Sequence, residues 1–228
     1  TKRLKTSLMV GPYIAGYRKR LLMNSTYSEE AETARALIMN ELAKFQTITS
    51  PLSGRHVGRL SSPEQRELSV SYPAVTSMVS IIEQFAVHSL ELRLDEIFIE
   101  TTEVSLAARN SLLRQVEQSW DNRHKALRRW FEGSLTPEPK AKVAAFVEAR
   151  NAITHGLGRL TRRQLGNDGG KALKAQLAVV GISESGGRVH VPSSSVVTLA
   201  ESGRSLMTEW DIIARSSELK VAIVSTAT

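Results

Sequence analysis

The run from Ala74 to Phe98, AVTSMVSIIEQFAVHSLELRLDEIF, carries apolar residues so densely at helical spacing that it predicts a central helix buried around most of its circumference. Pro73 suits the first turn of that helix, where its missing N–H costs nothing. A helix of this kind needs apolar neighbours on several sides, so the rest of the chain must supply them. Glu83 is out of keeping with its surroundings. An ionised carboxylate among Val79, Ile82, Phe85, Ala86 and Val87 is costly unless a cation or hydrogen-bond donors meet it, the alternative being that it faces outward with Gln84.

The neighbours are legible on either side. Thr26-Tyr-Ser-Glu29 resembles a capping box and opens a first helix with Ala34, Leu37, Ile38, Leu42 and Phe45 on one stripe. A loop rich in Ser, Gly and Pro follows, with His56 between Arg55 and Arg59, either touching a polyanion or serving as a solvated connector. A third helix is expected from Thr101 or Thr102 through VSLAARNSLLRQVEQSWDNRHKALRRWFEGSL, closed by Gly133. Its apolar side holds Val104, Leu112, Val116, Trp120, Leu127 and Trp130, and its other side Arg114, Arg123, Lys125, Arg128 and Arg129. Thr136-Pro137 starts a fourth helix that ends at Gly156, a residue suited to a left-handed C-cap.

These elements predict a mainly α protein, an up-and-down four-helix bundle over 25–165. A basic arm (1–24), with Lys2, Arg3, Lys5, Arg18, Lys19 and Arg20, precedes it, as a phosphate-contacting or dimer-embracing segment or as a terminus docked on the bundle. An appendage (166–228) follows, in which QLAVVGISESGGRVHVPSSS reads as a small β-hairpin about a Gly-Gly turn and Ser193 to Ser195 cap a further helix with Val197, Leu206, Trp210 and Ile213.

Composition narrows the chemistry. The 228 residues include no cysteine, which excludes disulfides, thiolate metal sites and a Cys nucleophile. No apolar run reaches the roughly 18 to 20 residues of a membrane span, and no secretory h-region is visible, so a soluble, cytoplasmic protein without membrane partners is expected. Thirty Lys plus Arg against 23 Asp plus Glu give a net charge of +7. Such a balance attracts polyanions, and it also keeps a protein soluble; it makes nucleic acid the leading class of partner. No metal site, P-loop or dinucleotide fingerprint is present in the sequence, so no cofactor is expected.

The residues that carry chemistry lie in FVEARNAITHGLGRLT. Asn151 and His155 fall one turn apart on the same helix face. Arg150 is offset from His155 by about 140°, so its long side chain must bring the guanidinium round to share a cleft. His155 titrates near neutrality when unperturbed and can act as general acid or base. RNA supplies its own nucleophile in the 2′-hydroxyl, so its cleavage needs a base, cationic stabilisation of the phosphorane and no metal. Arg150 can donate to phosphate oxygens, and Asn151 can orient the imidazole or the ribose. Arg159, Arg162 and Arg163 follow directly, and with Arg123, Arg128 and Arg129 they are the candidate RNA-binding residues. His88, His124 and His190 lack a ligand-spaced partner and read as structural or exposed.

In these residues the chain resembles the HEPN superfamily, whose members carry Arg, a polar residue that is often Asn, three more residues and then His on the last helix of a helical bundle. RNAITH matches that pattern, the helix with Glu83 and the Trp-bearing helix extend the likeness over about 25–165, and the RiboL-PSP-like and related bacterial groups are nearest. The resemblance implies a metal-independent endoribonuclease leaving a 2′,3′-cyclic phosphate. Arg150, Asn151 and His155 would be catalytic, with Glu83 in support, in a homodimer that faces two motifs across one cleft. It implies a role in antiphage defence, a toxin–antitoxin pair or RNA processing, with an antitoxin or defence protein as a further partner. The alternative it leaves open is a catalytically silent scaffold, in which Arg150 pairs with Glu83 and His155 only caps a helix end.

Overall fold

A computed structural model of the chain describes residues 27–50, 65, 67–98, 102–131, 133–166 and 168–216. The basic arm, the loop around His56 and the capping residue expected at Thr26 lie outside the described residues. The protein is mainly α-helical, with eight α-helices and one two-stranded antiparallel sheet among the described residues.

Helix α1 spans Glu29–Thr49 and is capped by Ser28, whose hydroxyl accepts from the Ala31 amide at 3.1 Å. Ala31, Ala34, Ile38, Leu42 and Phe45 form its buried stripe, while Leu37, expected on that stripe, is largely exposed. A π-helical turn, Glu67–Ser71, leads directly into α2, Tyr72–Ile97, with a Pro in its first turn. Val75, Met78, Val79, Ile82, Ala86, Leu90 and Leu94 of α2 are all but inaccessible to solvent, so this is the central helix that its apolar density requires.

The long third helix expected from the sequence is two helices. α3 (Glu103–Gln118) ends at Ser119, whose backbone is extended, and α4 (Trp120–Phe131) begins beside it. Ser119 Oγ accepts from the Asn122 amide, and Asn122 Nδ2 donates back to the Gln115 carbonyl. Short polar side chains that bond to nearby backbone groups favour helix ends over helix interiors, which accounts for the break. Helix α3 buries only Val116 fully, and Val104, expected on its apolar side, is exposed.

Helix α5 (Pro137–Gly156) ends where expected, but the left-handed residue is Leu157 (φ 51°), not Gly156. The short α6 (Arg162–Leu165) has a full capping box from Thr161 and Gln164. Part of the segment expected as strand is instead helix α7, Lys171–Ala178, which packs on α5. The hairpin is smaller than its sequence suggested: β1 (Ser183–Ser185) pairs with β2 (Arg188–His190) in the register Ser183↔His190, Glu184↔Val189, Ser185↔Arg188.

Helix α8 (Ser193–Ser216) changes the picture most. Placed by its sequence position in an appendage, it packs against α1, α2, α4 and α5 and completes the core. Leu199, Leu206, Met207 and Trp210 are fully buried in one continuous cluster with α1, α2 and α5. The central four helices are therefore α1, α2, α5 and α8. Gly203 lets α8 approach α2, since a Cβ there would stand 2.6 Å from Ile82 Cδ1. Truncating a buried Trp such as Trp210 typically costs roughly 3 to 5 kcal/mol, so α8 is essential to the fold rather than an ornament on it. Asp211, also buried, accepts from the Ser28 amide at 2.9 Å and ties α8 to the start of α1.

Candidate active site

The last three turns of α5 present Arg150, Asn151 and His155 at one end of the bundle. Arg150 is directed toward α2, where its Nη2 donates to Glu83 Oε2 at 2.6 Å. The other carboxylate oxygen of Glu83 accepts from Arg123 Nη1 of α4 at 2.8 Å, so one carboxylate bridges two guanidinium groups from two helices. The three side chains are 15% (Glu83), 21% (Arg150) and 9% (Arg123) exposed. Arg123 Nη2 donates further to the Glu117 carbonyl at 3.3 Å, closing the bridge against the end of α3.

This arrangement answers what Glu83 does in an apolar helix, because two cations meet its charge. It also corrects the expectation for Arg123. That residue is not part of a solvated basic stripe: it is buried and paired, and the break at Ser119 divides the supposed stripe between two helices. Arg128 and Arg129 remain exposed in the last turn of α4, where the helix dipole favours cations.

Asn151 is half-buried and His155 exposed, and among the described residues no side-chain hydrogen bond joins any two of Arg150, Asn151 and His155. Within one chain, then, Arg150 is drawn into the α2–α4–α5 junction while His155 faces solvent at the helix end. Two shallow grooves run along α2 beside these groups. One, of about 410 Å³, is lined by Ser80, Glu83, Gln84, Val87, His88, Glu91 and Arg123; the other, of about 580 Å³, by Tyr72, Pro73, Thr76, Ser77, Ser80, Ile153 and Leu157. They share Ser80, and the second reaches the end of α5 through Ile153 and Leu157.

The turn after α5 is fixed by the hairpin. The amides of Leu157 and Gly158 both return to the Ala152 carbonyl, and Tyr72 Oη donates to the Val189 carbonyl at 2.6 Å. Gly158 (φ 84°) is required here, because a Cβ would stand 2.7 Å from the Tyr72 ring. Arg159, Arg162 and Arg163 are exposed beyond it, and Arg159 forms an isolated bridge with Arg188 of β2. Arg188 is a residue that sequence reasoning missed. The hairpin was visible, but no local signal says that it docks beside the end of α5.

The other histidines do different work. His88 is exposed, with Nδ1 3.7 Å from Glu91, and His190 sits half-buried in β2. His124 packs edge-on to Trp120, with ring centroids 4.7 Å apart, and lies 5.7 Å from Trp210; those two indoles stack on each other at 6.2 Å. Burial pushes the His124 imidazole down to about 4, with Lys140 adding to the depression.

The chain matches no family model, no curated protein and no solved structure. Among the described residues no group of three His, Asp or Glu side chains is placed to hold a metal ion, and no helix is long and apolar enough to cross a membrane.

Proposed function

We propose that this protein is an endoribonuclease of HEPN type that cleaves RNA without a metal cofactor. The observation that carries the reading is the joint placement of an anchored arginine, a half-buried Asn and a solvent-facing His on the closing turns of one helix. Glu83 holds Arg150 at the α2–α5 junction, and His155 stands one turn beyond Asn151, open to a polymer substrate.

In this reaction His155 takes the proton from a ribose 2′-hydroxyl as its oxygen attacks the adjacent phosphorus. The bond from phosphorus to the 5′-oxygen breaks, and that oxygen leaves with a proton returned by an imidazolium or by water. The products are a 2′,3′-cyclic phosphate and a 5′-hydroxyl. Arg150 stabilises the charge that grows on the non-bridging oxygens, and Asn151 orients the imidazole or the ribose. Since no side-chain hydrogen bond joins Arg150 to His155 within one chain, a second copy completes the site in this reading, with two α5 ends facing each other across a cleft. A place in antiphage defence or a toxin–antitoxin pair, with a masking partner, follows from the same resemblance.

Incubation of the purified chain with total RNA in EDTA tests this. Cleavage that leaves cyclic phosphate ends and disappears in both His155→Ala and Arg150→Ala supports the enzyme. One observation favours a second reading, a silent dimerising scaffold: Arg150 already spends Nη2 on Glu83. Binding of RNA with no cleavage under any of these conditions would establish that reading instead.

A further inference from the structure

Among the described residues Leu157 is the one non-glycine residue with positive φ (φ 51°, ψ 42°), although Gly156 precedes it and Gly158 follows it. Left-handed backbone at a helix end falls to glycine because a side chain there is strained, and such an outlier points to a task for the side chain. Packing inside the chain does not supply that task, since Leu157 is 80% exposed. It lines the groove of about 580 Å³ together with Ile153 of α5 and Thr76 and Ser80 of α2. No charged side chain lines this groove, in a chain of net charge +7. The hydroxyls of Thr76 and Ser80 stand one helical turn apart, and neither makes a hydrogen bond among the described residues.

At helical spacing Ile153 and Leu157 fall within about 60° of Arg150, on the face of α5 that meets α2, whereas His155 is about 140° away. They stand about 4.5 and 10.5 Å beyond Arg150 along the axis, at 1.5 Å per residue. The groove therefore begins beside Arg150, and its length suits a nucleotide whose phosphate meets the guanidinium while its base lies in the groove. A phosphate finds no cation inside it. A base needs none: its faces pack on Ile153 and Leu157, and its edge offers donors and acceptors to the hydroxyls of Thr76 and Ser80. The volume lies in the range of small-ligand sites. We infer that the groove between α2 and the end of α5 is a nucleobase subsite, with Leu157 and Ile153 as its apolar platform and Thr76 and Ser80 reading the edge of the base. The subsite deepens the ribonuclease reading, and rests on it for the identity of the ligand, by naming what the Arg150 side of the site recognises.

The test uses the full chain carrying His155→Ala, so that binding is measured without turnover. Fluorescence anisotropy follows labelled oligoadenylate, oligocytidylate and oligouridylate, and an abasic ribose-phosphate strand of the same length. Leu157→Gly removes the platform and relieves the left-handed backbone, so the fold is kept. It is expected to raise Kd for the base-bearing strands about fivefold, the low end for a base packed on a side chain, and to leave Kd for the abasic strand unchanged. Thr76→Val with Ser80→Ala should change the ratios of Kd among the three homopolymers by about threefold or more. Equal losses on base-bearing and abasic strands overturn the subsite, as do unchanged affinities in both variants or an absence of RNA binding. Light scattering covers the other occupant: dimer mass lost in Leu157→Gly, with equal effects on both kinds of strand, makes the groove a contact for a second copy and overturns the subsite. If a variant fails to fold, the methyl resonances of Ile153 and Leu157 in the His155→Ala chain decide. They should shift with oligoadenylate and not with the abasic strand, and no shift overturns the proposal. The two readings fail separately. Cleavage by the parent with KM and base preference unchanged in Leu157→Gly removes the subsite and leaves the nuclease, whereas base-dependent binding lost in Leu157→Gly, with no cleavage by the parent, removes the nuclease and leaves the subsite.

Discussion

Replacing Glu83 by Gln removes one negative charge from between two guanidinium groups and leaves the side chain's size unchanged. The carboxylate accepts at 2.6 Å from Arg150 and at 2.8 Å from Arg123, and all three side chains are largely withdrawn from water. A neutral amide can accept from one arginine, but it then points its own N–H groups at the other, so one buried cation loses its partner outright. Breaking a buried pair in this way costs about 3 to 5 kcal/mol. Partial exposure of Arg150 places Glu83→Gln near the lower bound, about 3 kcal/mol.

The same geometry ranks the neighbours. Arg123→Met should cost more than Arg150→Met, because Arg123 is the more deeply buried of the two and also loses its bond to the Glu117 carbonyl. The double variant Glu83→Gln/Arg123→Met should recover part of the single-variant loss, since no unpaired cation remains buried at α4. Urea unfolding followed by far-ultraviolet circular dichroism, with linear extrapolation, measures each step. A Glu83→Gln protein within about 0.5 kcal/mol of the parent would refute the bridged-carboxylate account. A larger loss in Arg150→Met than in Arg123→Met would refute the ranking.

Three further outcomes are expected. The unfolded chain takes up a proton at His124 near pH 6.5, whereas the folded protein resists until about 4, so the stability that depends on a neutral His124 is lost as pH falls through that window, by up to about 3 kcal/mol; unfolding midpoints at pH 7 and 4.5 should converge in His124→Gln. Gly158→Ala should cost about 2 kcal/mol, because it forces a Cβ onto Tyr72 at positive φ, and should loosen the hairpin, read as faster amide exchange at Val189 and Leu160. On the proposed ribonuclease reading, Arg150→Lys should keep an ion pair with Glu83 but lose the remaining guanidinium donors offered to phosphate, lowering kcat more than it raises KM.

Much of the architecture follows from periodicity alone. The apolar density of 74–98 demanded a central helix, Thr136-Pro137 marked the start of α5, and the Gly-Gly pair at 186–187 marked a hairpin turn; each depends on residues within a few positions of one another. The chemistry-bearing motif was equally local, since Arg150, Asn151 and His155 fall within two turns of one helix. Where the sequence misled, a local preference competed with another of similar size. Ser119 and Asn122 ended a helix whose apolar pattern ran on, and KALKAQLA formed α7 where the alternation beyond it suggested strand.

What tertiary structure alone decided were the partnerships. Glu83 meets Arg123 across 40 positions and Arg150 across 67, and one pairing changed Arg123 from a surface contact for RNA into a buried counter-ion. Helix α8 joined α1, α2 and α5 because its face of Leu199, Leu206, Met207 and Trp210 was too apolar to leave in water, while the thinner apolar side of α3 could remain outside. Arg188 came to stand opposite Arg159 for the same kind of reason: Tyr72 and the backbone of 158–160 hold the hairpin against the end of α5. A residue's helical or extended state is set largely by its near neighbours, but the charge that faces it is chosen by how whole elements pack to hide apolar surface, and no short stretch of sequence contains that choice.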